Sequence, residues 1–115
     1  MENPIVVLFS SQRRADAPID DYRDLARRMG ELVAVVPGYI SSKTYTSRDG
    51  ETLTVARFES EAALAAWRDN AEHQDAQRRG QEDFYDAYAV QVCRLEREYA
   101  FTQESGRAVL YPAGS

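Results

Sequence analysis

The run Ile5-Val6-Val7-Leu8-Phe9 limits the fold of this chain more than any other stretch. Five apolar residues in a row, rich in β-branched side chains, are the pattern of a short strand covered on both of its alternating faces. A chain of 115 residues makes one domain around one core. Whatever covers both faces of that strand must therefore come from a few elements of the same chain, or from another molecule.

The remaining elements are read from periodicity. After a polar loop, SSQRRADAP, Asp20 or Asp21 is placed to cap a helix. Its apolar positions Tyr22, Leu25, Ala26, Met29, Leu32, Val33 and Val36 recur at gaps of three and four, and Pro37-Gly38 ends it. Two alternating segments then flank Asp49-Gly50, a dipeptide suited to a tight hairpin turn. Ser41, Lys43 and Tyr45 share a face of the first, and Leu53, Val55 and Arg57 a face of the second. Ser60 is a fitting N-cap for a second helix that runs until Gly80 breaks its pattern. Residues 85–95 read as a fourth strand, with Tyr88, Val90 and Val92 on one face and Ala89, Gln91 and Cys93 on the other.

The order is β-α-β-β-α-β. Two right-handed β-α-β halves joined by a hairpin give an α+β, ferredoxin-like fold: a four-stranded antiparallel sheet with both helices on one face. The domain spans residues 1–101, and 102–115 form a C-terminal tail with a short apolar patch at 108–111. Both faces of the first strand are apolar, yet the helices cover only one. The simplest cover for the other is a second copy of the same sheet, so the expected state is a homodimer.

Composition narrows the function classes. A net charge of −5 argues against nucleic-acid and anionic-membrane partners, which need a basic face. Cys93 is the only cysteine, so no disulfide within the chain and no cysteine cluster for a metal is expected, which suits a reducing cytoplasm. The N-terminal apolar run is too short for a signal-peptide core or a membrane span, and the expected location is cytoplasmic. With one histidine and no nucleophile elbow, glycine-rich phosphate loop or metal-ligand spacing, hydrolase, kinase and metalloenzyme readings are weak.

Chemistry concentrates in LAAWRDNAEHQDAQRRG, residues 64–80, which hold the only tryptophan, Trp67, and the only histidine, His73. The run from Phe58 through Trp67-Arg68-Asp-Asn-Ala-Glu72-His73, with the closing strand and Glu98-Tyr99-Ala100-Phe101, resembles the antibiotic biosynthesis monooxygenase family over roughly residues 3–101. The resemblance implies a dimeric α/β-barrel with a pocket in each subunit between sheet and helices. Family members include cofactor-independent oxygenases of aromatic polyketides and haem-degrading monooxygenases. The haem branch places its axial imidazole ten positions after the tryptophan, which is Gln77 here, and uses an asparagine on the first strand, near which Asn3 lies.

What the resemblance implies for the cofactor-independent branch is a pocket that binds an aromatic ring system, encourages its ionisation and stabilises the anion. Trp67 for stacking and His73 as base are the candidate catalytic residues. Tyr45, Asn70 and Gln77 are candidate polar contacts, and Arg57 a candidate anion partner. On one continuous helix Asn70, His73 and Gln77 share a stripe. Bland alternatives stand beside each: Trp67 as a core anchor, His73 as a helix-end imidazole, Tyr45 as cross-strand packing, Arg57 in an ion pair with Glu98 or Glu59, and Cys93 as a small buried residue. The leading expectation is a monooxygenase acting on an aromatic or polycyclic metabolite with molecular oxygen and no bound cofactor or metal. A non-catalytic dimeric module that binds a small apolar ligand or serves a stress role comes second, and a haem-degrading enzyme third.

Overall fold

A computed structural model of the chain describes residues 2–112. Strand β1 (Ile5–Arg13) leads into helix α1 (Ile19–Ala34), followed by β2 (Tyr39–Thr46), β3 (Thr52–Phe58), α2 (Glu61–Arg68), α3 (Ala71–Arg79) and β4 (Tyr85–Arg94). These four strands form one antiparallel sheet in the order β2-β3-β1-β4, the ferredoxin-like arrangement. A separate hairpin of β5 (Glu98–Thr102) and β6 (Gly106–Tyr111) follows. No helix among the described residues is long and apolar enough to cross a membrane.

β1 lies between β3 and β4 and pairs with both. It extends four residues beyond its apolar run, because Ser10–Arg13 still pair with β4, through a register shift at Gln12 and Arg13. Ser11 tolerates burial there because its hydroxyl shares a 2.7 Å hydrogen bond with that of Thr52.

The helices pack on the row Ile5, Val7, Phe9. Ile5, paired with Phe58, joins Val33 of α1 and Ala63 of α2 in a small core, with Val7, Tyr39, Ala56, Leu64 and Trp67 packed around it. Burying a side chain such as Phe58 contributes about 1.5–3 kcal/mol. A second contact zone lies at the other end of the sheet. There Tyr22 of α1 meets Phe84 and Tyr85 edge-on, at 5.5 and 6.0 Å between ring centroids, while Phe9 stacks on Tyr88 at 5.4 Å.

Three helix boundaries depart from the sequence expectation. α1 starts after Pro18 without a side-chain cap, and Asp20 and Asp21 lie inside its first turn, where negative charge complements the helix dipole. The long second helix is interrupted at Asp69-Asn70, giving α2 and α3. Gly80 does not stop the helical run, which continues through a single π-helical turn to Phe84. Glycine is required there for another reason: a Cβ on Gly80 would lie 2.8 Å from the Tyr85 ring. Ser60 caps α2 as expected, accepting from the Ala63 N–H at 3.2 Å. In the hairpin only Gly50 takes a positive φ (+90°), with Ser47 and Glu51 closing the turn.

Cys93 is exposed, contrary to the expectation of burial. It faces away from the helices on the edge strand β4, opposite Val6. The tail also departs from a plain polar end, since residues 106–111 pair with 98–102 across the domain boundary at 101. Residues 113–115 of that tail lie outside the described residues.

The two helical glycines give a paired test. Gly30 of α1 has open space around it, so Gly30→Ala is expected to stabilise by about 0.5–1 kcal/mol. Gly80→Ala pushes against a Tyr85 ring already held by Phe9, Tyr22 and Tyr88, and is expected to destabilise by about 1–3 kcal/mol. Denaturant midpoints of the two variants move in opposite directions.

Candidate functional site

The break between α2 and α3 builds the most specific geometry in the molecule. A helix end leaves its last carbonyls without intrahelical donors, and here residues of the next helix satisfy them. Gln74 Nε2 donates to the Arg68 carbonyl at 3.3 Å, and the Trp67 carbonyl receives both the Asn70 N–H (3.1 Å) and His73 Nδ1 (3.1 Å). Asn70 caps α3, its Oδ1 accepting from the His73 N–H at 2.9 Å; such a cap contributes about 0.5–2 kcal/mol. The imidazole lies flat on the Trp67 indole, with centroids 4.0 Å apart and planes 16° from parallel.

This arrangement fixes the tautomer. A backbone carbonyl only accepts, so neutral His73 carries its proton on Nδ1 and keeps the lone pair on Nε2. Among the described residues, Nε2 has no hydrogen-bond partner. Burial lowers the His73 pKa, and the hydrogen bond to the Trp67 carbonyl opposes that shift more weakly. At neutral pH the group is a neutral, oriented base.

The six sequence candidates are not gathered at one place. Trp67 and His73 are together. Asn70 is adjacent, but its side chain is engaged as the α3 cap. Gln77 is on α3 yet exposed, and the break removes the continuous stripe that would have joined Asn70 to it. Tyr45 and Arg57 lie on the opposite side of the sheet. Arg57 pairs with Val6 and Tyr45 with Leu53, which pairs with Ser10; all of these point away from the helices. Lys43 sits over the Tyr45 ring at 5.5 Å. Arg57 forms no ion pair among the described residues, so neither Glu98 nor Glu59 neutralises it.

The helix-facing side of β4 is the surface that the candidate list omitted. Tyr88, Val90, Val92 and Arg94 pair with Ser11, Phe9, Val7 and Ile5, placing them on the same side of the sheet as Trp67. Val90 and Val92 nonetheless remain 48% and 56% exposed. The helices therefore leave this apolar row uncovered along the sheet edge. Arg94 and Asn3, with Glu2, Ile5 and Glu61, line a small groove of about 130 Å³ at one end. The alternation in YDAYAVQVCR carried the signal, because 88, 90, 92 and 94 are in phase.

The positions that the resemblance assigns to the haem branch do not carry its ligand chemistry. Gln77, at the axial position, is an exposed amide and a poor iron ligand. Asn3 uses its Nδ2 to bind the Leu95 carbonyl at 2.9 Å. Among the described residues no cluster of His, Cys, Asp or Glu is arranged to hold a metal ion.

The stacked pair predicts a pH response specific to this protein. The folded pKa of His73 lies below its ordinary value of about 6.5. As pH falls, the unfolded chain therefore takes up this proton first. The stabilising contribution is complete above pH about 6.5 and is lost as pH drops through the folded midpoint. Protonated imidazole quenches indole emission on contact, so Trp67 fluorescence is expected to fall with a midpoint below 6.5. That step disappears in His73→Gln, and the imidazole NMR shifts give the same midpoint.

Comparison with known proteins agrees with this architecture. The family model described as antibiotic biosynthesis monooxygenase matches residues 4–79. YqjZ, an uncharacterized protein of Bacillus subtilis (strain 168), is 32% identical over 99 residues, covering 86% of this chain and 85% of its own. The structure of Rv0793 from Mycobacterium tuberculosis superposes with a TM-score of 0.72 at 26% identity, over 83% of this chain and 97% of that one. SnoaB, a cofactor-independent oxygenase from Streptomyces nogalater, shares the fold, with a TM-score of 0.70 at 8% identity over 84% and 96% of the two chains. From fold, signature and family match together, the chain belongs to the antibiotic biosynthesis monooxygenase family.

Proposed function

We propose that the protein is a cofactor-independent monooxygenase that oxidises an electron-rich phenol or polycyclic aromatic with molecular oxygen. The observation that carries this reading is the His73 imidazole, held neutral against Trp67 with its Nε2 lone pair free. Family membership supports it, as does the shared fold with SnoaB, itself a cofactor-independent oxygenase.

In this reading the ring system lies on the apolar row of β4, against Val90 and Val92. Nε2 of His73 accepts the phenolic proton, and the phenolate delivers electron density to oxygen. One oxygen atom enters the ring as a carbonyl and the other leaves as water. General-base help of this kind is worth about 10²–10⁴ in rate. Trp67 is then a positioning residue, since one of its faces is already taken by the imidazole it orients. Arg94 is the cation in phase with the apolar row and serves the anion, a role Arg57 cannot perform from the other side of the sheet.

A second reading, a non-catalytic binder of small apolar molecules, is favoured by the half-exposed valine row alone. Dissolved-oxygen uptake with a panel of anthrols and naphthols separates the two. Uptake above the protein-free rate is expected, falling about 10²-fold or more in His73→Gln and rising with pH through the His73 midpoint. Arg94→Gln is expected to raise KM more than it lowers kcat. Saturable binding of the panel without oxygen uptake supports the binder and overturns the oxygenase.

A further inference from the structure

Tyr88 carries a polar group that the proposed reaction leaves unused. It pairs with Ser11 on the helix side of the sheet, in phase with Val90 and Val92, and its ring stacks on Phe9 at 5.4 Å. Its hydroxyl accepts from Gln81 Nε2 at 2.7 Å. A phenol has one proton to give as well as lone pairs to receive. Among the described residues nothing accepts the Tyr88 proton, and the residue is 36% exposed.

The donor to Tyr88 is itself firmly placed. Gln81 belongs to the π-helical turn Gly80–Phe84, and single π turns concentrate at functional sites. The turn is fastened to the residue that follows β1: the Arg14 N–H donates to the Phe84 carbonyl at 2.8 Å, and Arg14 Nη1 to the Glu82 carbonyl at 2.9 Å. Asp16 holds the same guanidinium through both carboxylate oxygens, each at 3.0 Å. The neighbouring Tyr85 hydroxyl is committed instead to Tyr22 inside the aromatic group, where burial raises its pKa.

The two ends of the valine row therefore differ. Val7, the partner of Val92, borders the small core together with Trp67, which places the stacked Trp67–His73 pair toward the Val92 end. Tyr88 stands at the other end, four strand residues away, or about 13 Å along β4. One aromatic ring lying on the row cannot meet both ends, whereas three fused rings can. Accepting the Gln81 bond also strengthens the Tyr88 O–H as a donor, since linked hydrogen bonds polarise one another.

We propose that Tyr88 orients the substrate: its O–H, left free by the Gln81 bond, donates to an oxygen substituent on the end of the ring system remote from His73. The preferred ligand is then an extended polycyclic aromatic with oxygens at both ends, one deprotonated at His73 Nε2 and one held at Tyr88. This rests on the reading above that the valine row receives the ring system. A site built to bind such an oxygen discriminates against the analogue that lacks it, because the donor is then left without its partner.

Binding calorimetry of the full chain under nitrogen, where no oxygen is consumed, decides it. The probes are 2,6-dihydroxyanthracene, with a hydroxyl at each end, and 2-anthrol, with one. Wild type is expected to prefer the former by about 3–10-fold, and Tyr88→Phe to bind the two within about twofold of each other. Gln81→Leu, which keeps the phenol but removes its partner, is expected to weaken the preference while leaving 2-anthrol affinity in place. Tyr88→Phe retains the ring on Phe9, and retention of the Trp67–His73 fluorescence step shows that it is folded. A purely structural role for Tyr88 would not change the ratio between the two ligands. A preference that survives Tyr88→Phe or Gln81→Leu unchanged overturns the proposal, as does a wild type that binds neither compound. Oxygen uptake is read separately. Uptake by wild type together with an unchanged preference in Tyr88→Phe overturns the role of Tyr88 and leaves the oxygenase standing. A preference lost in Tyr88→Phe without any uptake by wild type supports that role and overturns the oxygenase.

Discussion

Covering β1 is the constraint on which the rest of the structure depends. The strand is hydrogen-bonded along both edges, so only its two faces remain, and both are apolar in their first half. The helices meet the helix side at two separated places. One is the Ile5–Phe58 pair under Val33 and Ala63, and the other the aromatic group around Tyr22, Phe84 and Tyr85. Buried hydrophobic side chains are few, and each contact zone is small. The edge strand β4 is left half open, and the exposure of Val90 and Val92 follows from that spacing. A fuller core would have closed it.

The break at Asp69-Asn70 turns an ordinary amphipathic helix into a frame for the stacked Trp67–His73 pair. A continuous helix would carry Trp67 and His73 about 120° apart around its axis, since six residues at 3.6 per turn is not a whole number of turns. Interrupting it lets the imidazole fold back over the indole and take the carbonyl of the residue it stacks on. One side chain thus completes a helix end and acquires a fixed tautomer. The structural and functional readings of His73 are therefore not rivals, because the capping bond on Nδ1 is what frees Nε2.

Much of the fold was legible because its signals are periodic. The alternation of β3 and β4, the three-four spacing of α1 and the Ser60 cap all survive in the structure. What failed had tertiary causes. Ser10–Arg13 look like a polar loop, yet they are strand because β4 supplies partners to all four and β3 to Ser10 and Ser11. Gly80 looks like a stop, yet it is a packing position under Tyr85. Within the site, Trp67 and His73 were visible as unique residues, but their stacking was not, because it requires a break that Asn70 signals only weakly. The chemistry of Tyr45 and Arg57 does not report which side of the sheet they occupy. Phase alone, counted across the β1 and β3 pairing, separates them from the helix face.

Sheet side also limits the electrostatics of any reaction near His73. A ligand touching Nε2 cannot reach Arg57, because the sheet lies between them. The cation in phase with the valine row is Arg94, which is exposed, so its attraction for an anion is screened by water. The polar groups flanking Phe9 on this side of the sheet are neutral: the Ser11–Thr52 hydroxyl pair and the Tyr88 hydroxyl, which accepts from Gln81. In the proposed reaction, an exposed valine row beside a neutral base favours substrates whose anion is delocalised over a large ring system. A compact localised anion would be stranded there, at the cost that burying an unpaired charge imposes. On that proposal an anthrolate or naphtholate, its charge spread over the rings, suits the valine row better than a carboxylate or phosphate does.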